Sequence, residues 1–323
     1  MKTRNEQMAE LNRLLATYDR RFAAAFLAGI EKIRSSVTLN QIAERLRVRD
    51  IQGVLDLFNQ TLIAAGFVDI SRTIQQAYIA GGDYGSRIAA ANKIDFVFTV
   101  ADSNSARFIT EYQAQWIREI SAEMRQNISL IAIEEVTAGT NPIESARRIR
   151  QGLGLTVNQE QAVQNYRGYL EELDKTALDR QLRDARFDPT VTRAIEQKKP
   201  LSKAQIDKMV NRYRERYIKR RSETIARTES MTLLQSGEDQ YWRQAIADGQ
   251  VLEDEVWADW IVTHDSKLRH SHAAIPSLNP EGRQLNDPFR SPLGMIRYPS
   301  DPAAAPANRI NCRCALHRRI KRP

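Results

Sequence analysis

The fold of this chain is decided by the stretch from residue 225 to residue 314, where a helical pattern gives way to strands and loops. It begins with Ile225-Ala-Arg-Thr-Glu229, passes through Glu255-Val-Trp-Ala-Asp-Trp-Ile-Val-Thr263, and ends with Ile310-Asn-Cys-Arg-Cys314. Alternating apolar and polar residues in the second segment predict a strand. Prolines and glycines recur between the second and third segments and exclude long regular elements there. The stretch therefore predicts a small α+β unit joined by loops, with its helix supplied by residues 225–247.

The chain before this stretch is patterned for helices. Apolar residues recur at spacings of three and four from Glu6 to about Ser35, and at every fourth position from Phe108 to about Thr137. A further helix is predicted from Ser202 to Ala247. The predicted fold class is mainly α: an elongated multi-helix N-terminal region over residues 1–200, followed by a small, loop-rich α+β C-terminal domain over residues 201–323.

Four shorter segments carry local expectations. Asn40 is a candidate N-cap for the second helix. Gly81-Gly-Asp-Tyr-Gly85 predicts a turn between helices. Residues 159–186 predict one long, charged amphipathic helix, and Arg309 to His317 predicts a last strand.

Length, charge and cysteine content bound the class of protein. The 323 residues suffice for about two domains. The formal net charge of +8 indicates an anionic partner only where the charges cluster. The two cysteines are one residue apart and make no disulfide framework, so we expect a chain made in a reducing cytoplasm. Glu6 and Glu10 precede any apolar run, and Phe22 to Ile30 is too short to cross a bilayer, so we expect no signal peptide and no membrane span.

Basic residues recur at every fourth position of the helix that follows Ser202, and a second basic cluster closes the chain. A row of cations on one helix face can follow nucleic-acid phosphates or meet an acidic protein surface. The alternative is a solvated helix face, because no aromatic residue is interleaved for base stacking. The candidate residues for contact with DNA or an acidic partner are Lys208, Arg212, Arg216, Lys219, Arg220, Arg318 and Arg319.

The two cysteines are candidate metal ligands. If residues 311–315 form a strand, Cys312 and Cys314 point to the same face and could meet one ion, while Arg313 points away. His272 is the preferred further ligand for a candidate zinc site, and His264, His270 or Asp265 could complete the set. The alternative is that both cysteines are small core residues that bind no metal.

Charged residues of the same stretch suggest two further arrangements. Asp265, Lys267, Arg269, His272 and Glu229 predict an ionic cluster, which is either an active site or a network that holds loops in place. A second set imitates the His/Asn/His set of a metal-dependent nuclease. Its members are His270, His272, Asn308 or Asn311, and His317.

The order of these motifs resembles the C-terminal domain of the MuF-type minor head proteins, or head morphogenesis proteins, of tailed bacteriophages. The matching segments are Ala226-Arg-Thr-Glu229, Trp260 with Asp265, Arg269 and His272, then Pro299-Ser-Asp-Pro302 and Ile310-Asn-Cys-Arg-Cys314. The motif core comprises Arg227, Thr228, Glu229, Asp265, Arg269, His272, Asn311, Cys312 and Cys314. The resemblance covers about the last hundred residues.

The resemblance implies a non-enzymatic minor capsid protein of a phage or prophage, assembled in the host bacterial cytoplasm and held in few copies inside the virion. Expected partners are the portal protein, the scaffold or major capsid protein, and packaged DNA, with no membrane. A metal-dependent nuclease acting through the C-terminal His/Cys cluster is the enzymatic alternative. A toxin-related role ranks last; it is raised because MuF-type domains also occur fused to toxin domains.

Overall fold

The structure is a computed structural model that describes residues 2–322, and it is mainly α, as predicted. Helices occupy the first two thirds of the chain, and one of them continues far into the last third. They are α1 (Arg4–Ser36), α2 (Leu39–Arg47), α3 (Ile51–Leu57), α4 (Gln60–Gly66), α5 (Val68–Ala90), α6 (Ser103–Ala138), α7 (Pro142–Gly152), α8 (Val157–Glu171), α9 (Thr176–Asp179), α10 (Asp188–Glu196) and α11 (Lys203–Ala247). The long helix predicted from Ser202 to Ala247 is confirmed as α11.

Short strands and helical turns follow α11, which confirms the small α+β region. They are β1 (Val256–Ile261), α12 (His270–Ala273), α13 (Ile275–Leu278), β2 (Arg283–Gln284), β3 (Phe289–Ser291), β4 (Gly294–Ile296), α14 (Pro306–Arg309) and β5 (Ala315–Ile320). The strand predicted over residues 255–263 is confirmed as β1. The last strand begins at Ala315 and not near Arg309, because Pro306 opens the short helix α14 there.

The chain forms two compact units. The C-terminal unit comprises Met1–Ala25, Asp69–Gln113 and Glu223–Pro323, and the central unit comprises Phe26–Val68 and Ala114–Ser222. These ranges differ from the expected 1–200 and 201–323, because α1, α6 and α11 each contribute residues to both units. Each unit is built from separate segments of the chain, so a single boundary in the sequence cannot divide the two units.

Two local expectations about helix ends are wrong. The N-cap of α2 is Thr38 and not Asn40, because the Thr38 hydroxyl accepts a hydrogen bond from the Gln41 backbone N–H. The single helix expected over residues 159–186 ends with α8 at Glu171. Leu173 adopts a left-handed backbone conformation with φ of 57°, which stops the helix, and the Asp174 side chain accepts from the Thr176 N–H to start α9.

The glycines at positions 81, 82 and 85 lie inside α5, so the turn expected there is wrong. A Cβ at Gly81 would overlap the Leu234 backbone, and a Cβ at Gly237 would overlap the Tyr78 carbonyl. These glycines therefore let the backbones of α5 and α11 approach each other closely within the C-terminal unit. The sequence pattern misled because glycine serves both turns and close helix packing.

Replacing Gly237 by alanine should lower the free energy of unfolding by about 1–3 kcal/mol, because neither backbone can yield to the added methyl group. Urea unfolding of the purified chain measures the change. Gly168→Ala is the matched control, since Gly168 lies in α8 with open space around it and alanine favours helices there. Equal stability of the Gly237→Ala variant and the wild-type chain would contradict the close packing.

The antiparallel sheet has the order β2-β1-β5 and supports the C-terminal core. Trp260, Phe289, Leu316 and both cysteines belong to one buried cluster on this sheet. The Gln7 amide covers the backbone of β5: its Nε2 donates to the Arg318 carbonyl at 2.9 Å, and its Oε1 accepts from the Arg318 N–H at 3.0 Å. This side chain satisfies backbone groups that the sheet itself leaves unpaired.

One stretch, Ile51–Ala90, is long and apolar enough to meet the criteria for a membrane span. It consists of three helices, α3, α4 and α5, and buried helices of soluble proteins meet the same criteria. The absence of a membrane partner therefore stays a prediction.

Candidate metal centre

A row of hydroxyl groups on α11 holds the C-terminal loops. Thr228, Thr232 and Ser236 are four residues apart and so share one helix face. The Thr228 Oγ1 accepts from the Asn311 N–H at 2.9 Å, and the Thr232 Oγ1 donates to the Ser300 carbonyl at 2.8 Å. The Ser236 Oγ lies 3.1 Å from the Tyr298 hydroxyl. The spacing of four was visible in the sequence, but only Thr228 was singled out there.

The loop that carries the cysteines is fixed from both sides. Asn311 adopts a left-handed conformation with φ of 57°, and the Arg269 guanidinium donates to the carbonyl of the preceding Ile310. The Thr263 hydroxyl donates to the Arg313 carbonyl at 2.7 Å. Residues 311–314 are a loop and not the strand that was expected. Cys312 and Cys314 nevertheless face the same side, because Arg313 turns outward to pair with Asp265.

His272 lies on α12 and faces both cysteines. Its Nδ1 is 3.5 Å from the Cys312 Sγ and 3.4 Å from the Cys314 Sγ. The three ligand atoms lie within 4.8 Å of one another, and each of the three residues is only 2% exposed. The residues singled out as metal ligands are therefore brought together, from positions forty residues apart.

This cluster could bind a metal ion. Tetrahedral Zn²⁺ with thiolate and imidazole ligands separates sulfur and nitrogen by roughly 3.5 Å, which the observed distances match. An S–H···N hydrogen bond has a similar length, so the same geometry also suits three packed core side chains. The His272 Nε2 is buried with no hydrogen-bond partner in residues 2–322. Metal-bound histidines usually donate from this second nitrogen, so the cluster lacks the usual outer partner.

The two thiols form a coupled pair. A hydrogen bond from the Cys314 thiol, together with His272, lowers the pKa of Cys312, although burial opposes this. The same contact with Cys312 and burial raise the pKa of Cys314. One sulfur is thus favoured as a thiolate, which is the form that binds a metal.

Four of the five residues of the predicted ionic cluster lie near one another: Lys267, Arg269 and His272 line one small space, and the Lys267 N–H donates to Asp265 at 2.8 Å. The hydrogen bond from the Lys267 N–H is the main cause that lowers the pKa of the Asp265 carboxyl below its usual value. The ion pair between Asp265 and Arg313 lowers this pKa further. The Glu229 carboxylate accepts from the Tyr112 hydroxyl at 2.6 Å, and Arg227 lies 4.0 Å from Asp19. Glu229 thus joins α11 to α6, and Arg227 lies on α11 beside Asp19 of α1.

The nuclease-like set is dispersed. His270 is exposed, His272 is buried, and His317 lies on β5 with its Nδ1 3.4 Å from Asp259. Within residues 2–322, only His272 joins the two cysteines in a metal-binding group. A His/Asn/His arrangement needs its histidines at one point, and β5 carries His317 away from His272.

The candidate contact residues differ in accessibility. Lys208, Arg212, Lys219 and Arg220 are exposed on α11, while Arg216 is half-buried beside Asp184. Arg319 pairs with Asp259 at 2.5 Å. Arg318 must leave the set, because it is only 3% exposed and its guanidinium binds the buried Glu238. The alternation of β5 turns Arg318 toward the core and Arg319 toward solvent.

Asp301 is a buried carboxylate in the loop that Thr232 holds. Burial alone would raise its pKa, but hydrogen bonds from Arg297 at 2.8 and 3.0 Å outweigh burial and lower it. A carboxyl group with a lowered pKa stabilises the fold above its unfolded pKa, near 3.9, and loses that contribution as the pH falls toward the folded value.

Asp301→Asn should therefore lower the free energy of unfolding by about 2 kcal/mol at pH 7, and by progressively less below about pH 4. Urea unfolding of the wild-type and variant chains at pH 7, 5, 4 and 3 measures this difference. Asp254→Asn is the control, since Asp254 is exposed and its carboxylate has no hydrogen bond in residues 2–322. A deficit that stays constant with pH would contradict the role given to Arg297.

Comparisons of this chain with protein-family models, with curated proteins and with solved structures find no match.

Proposed function

We propose that this chain is a minor head protein of a tailed phage or prophage, present in few copies near the portal inside the procapsid. It would assist head assembly and DNA packaging or ejection. The observation that carries the proposal is the place of the MuF-like motif residues in the fold. Thr228 binds the N–H of Asn311, Arg269 binds the carbonyl before it, and His272 meets both cysteines. Within the motif, Thr228 thus fastens the cysteine loop to α11, while Arg269 and His272 tie the same loop to the α12 segment.

The mechanism is binding rather than catalysis. The fastened residues are internal ties, and the exposed cations lie elsewhere on the first half of α11. Lys208, Lys219 and Arg220 are exposed, so this face can meet DNA phosphates or an acidic portal surface. The helical part of the chain offers the remaining surface for the portal, scaffold or major capsid protein.

Zinc is the metal that suits the cluster best. Two thiolates and an imidazole are soft to borderline ligands, which favour Zn²⁺ over Mg²⁺ or Ca²⁺. Cys312, Cys314 and His272 would hold the ion, and its effect would be to fasten α12 to the cysteine loop. Such a tie suits a region whose strands are at most six residues long.

Co-expression with the portal protein of the same phage or prophage tests the function. The tagged chain should retain the portal protein through purification at both low and high salt. The full-length chain with Lys208, Lys219 and Arg220 changed to glutamine should no longer retain DNA at low salt. Whether this variant still retains the portal protein shows whether the same helix face binds the portal. Absence of the portal protein at both salt concentrations would refute the proposal, and nicked plasmid DNA would favour the nuclease instead.

One observation favours a second candidate, a metal-dependent nuclease. The cluster supplies three protein ligands, and a space of about 20 Å³ beside it, lined by Lys267 and Arg269, has room for one water molecule. Three protein ligands with an open fourth position are typical of catalytic zinc. Plasmid cleavage that needs a divalent metal and disappears in His272→Ala would establish this activity. Uncleaved plasmid in the presence of Zn²⁺, Mg²⁺ or Mn²⁺ would dismiss it.

A further inference from the structure

A cationic cleft of about 340 Å³ lies in the central unit, far along the sequence from the cysteine cluster. Four arginines and one glutamate line it, together with the apolar side chains of Leu39 and Ile218. The glutamate, Glu215, is exposed and already pairs with Arg212 outside the cleft at 2.7 Å. The cleft is therefore strongly positive and has little neutralising charge of its own.

Arg214 forms the buried floor of this cleft and is only 4% exposed. Its Nη1 donates to the Gln151 Oε1 at 3.1 Å and to the Asn211 Oδ1 at 3.0 Å, and these two residues also line the cleft. Its Nε is buried and has no hydrogen-bond partner in residues 2–322. A buried guanidinium with an unused donor is costly unless an acceptor arrives from outside the chain.

The carboxylate beneath Arg214 does not neutralise it fully. Glu160 Oε1 lies 3.5 Å from the Arg214 Nη2, and the same oxygen lies 3.3 Å from the Arg148 Nε. The same Arg148 also pairs with Glu134 and Glu135 at 2.6 Å, whereas Arg214 has only the more distant Glu160. Burial lowers the pKa of Arg214 despite the opposing effect of Glu160. A bound anion would add a second, closer counter-charge to Arg214.

Helix α7 adds two further cations at the rim. Arg147 and Arg150 are three residues apart, so they share one helix face, and both line the cleft. Neither side chain has a hydrogen bond or an ion pair within the described part of the chain, residues 2–322. Arg34 fixes the end of α7, because its Nε donates to the Arg150 carbonyl at 3.0 Å and its Nη2 to the Leu153 carbonyl at 3.1 Å. The two free guanidinium groups are therefore carried by a rigidly placed helix.

We propose that this cleft binds a phosphate-bearing organic ligand of about nucleotide size, held by Arg147, Arg150 and Arg214. Guanidinium groups form paired hydrogen bonds with the oxygens of a phosphate. Three guanidinium groups match the charge of a phosphate dianion better than that of a ligand with a single carboxylate. The volume reaches the range of small-molecule sites, so the cleft exceeds the needs of an inorganic ion. Leu39 and Ile218 offer apolar contact for the organic part. This site is independent of the head-protein proposal.

Calorimetric titration of the full chain with a nucleoside 5′-monophosphate, and separately with inorganic phosphate, tests the proposal at constant ionic strength. The variant is Arg147→Gln/Arg150→Gln, which keeps the buried Arg214. We expect monophosphate binding to weaken at least about tenfold, since two charge-assisted hydrogen-bonding groups are lost. The control is Arg118→Gln/Arg193→Gln, which removes the same charge from two exposed arginines without side-chain partners in residues 2–322. Its affinity should stay within twofold of the wild-type value.

A short duplex oligonucleotide separates two sources of phosphate. Competition between the duplex and the monophosphate would assign the cleft to a phosphate of the DNA backbone, and binding without competition would assign it to a free small molecule. Both results support the site. No detectable binding of the monophosphate at millimolar concentration, or equal weakening in the variant and control pairs, would overturn it. The thermal midpoints of both double variants are compared with that of the wild-type chain. Equal midpoints show that weaker binding does not result from unfolding.

Discussion

Replacing Arg318 by methionine is expected to lower the free energy of unfolding by about 3–5 kcal/mol, because it leaves the Glu238 carboxylate buried without its counter-charge. The two side chains are 4% and 1% exposed, and two hydrogen bonds of 2.8 and 3.1 Å join them. The Trp242 Nε1 also donates to Glu238 at 2.5 Å and cannot replace a full positive charge. Urea unfolding of the variant and wild-type chains measures the loss.

The neighbouring arginine provides the control for this prediction. Arg319 pairs with Asp259 on the opposite face of β5, with 28% of its side chain exposed, so Arg319→Met should cost only about 0–1 kcal/mol. The double variant Glu238→Gln/Arg318→Met should recover much of the loss, since it removes both charges together. If Arg318→Met and Arg319→Met lowered the free energy of unfolding equally, the buried pair would contribute no more to stability than the exposed one.

The second large effect concerns the cysteine cluster. The purified chain should carry about one zinc ion per molecule, and Cys312→Ser or Cys314→Ser should lose it, because each change removes one of three ligands. If free zinc is at 1,000 times its dissociation constant, the ion stabilises the fold by about 4 kcal/mol. A chelator should therefore lower the thermal midpoint of the wild-type chain and leave that of the serine variants unchanged. Elemental analysis and thermal unfolding measure the two effects.

Two exposed histidines serve as controls for the zinc prediction. His264→Ala and His270→Ala should keep their zinc, because neither residue belongs to the cluster. Two results together would contradict the zinc site: the chain contains no zinc after expression in zinc-supplemented medium, and the chelator does not change its thermal midpoint. Cys312 and Cys314 would then be ordinary core side chains. The head-protein proposal would survive that result, since it depends on portal association and not on the ion.

The sequence alone determined that the chain is mainly helical and where α11 gives way to β1, although it placed a turn inside α5 and a single helix across α8 and α9. The apolar spacing along α6 and α11 and the alternation along β1 are local signals, and each was sufficient for its element. The members of the candidate metal-binding cluster were also predictable. Cys312 and Cys314 are separated by one residue, and His272 was the preferred further ligand in the stretch. The structure brings these three residues together, although residues 311–314 form a loop and not the expected strand.

Only the tertiary structure decided which charged residues are buried and which glycines pack helices together. Arg318 was indistinguishable from Arg319 in a basic tail, because its partner Glu238 lies eighty residues earlier on α11. Gly81 looked like part of a turn, because the backbone that it approaches, at Leu234, is even more remote in sequence. Local patterns report the preferences of neighbouring residues. The cost of burying a charge, and the space that a side chain may occupy, depend on groups that folding brings together from distant parts of the chain.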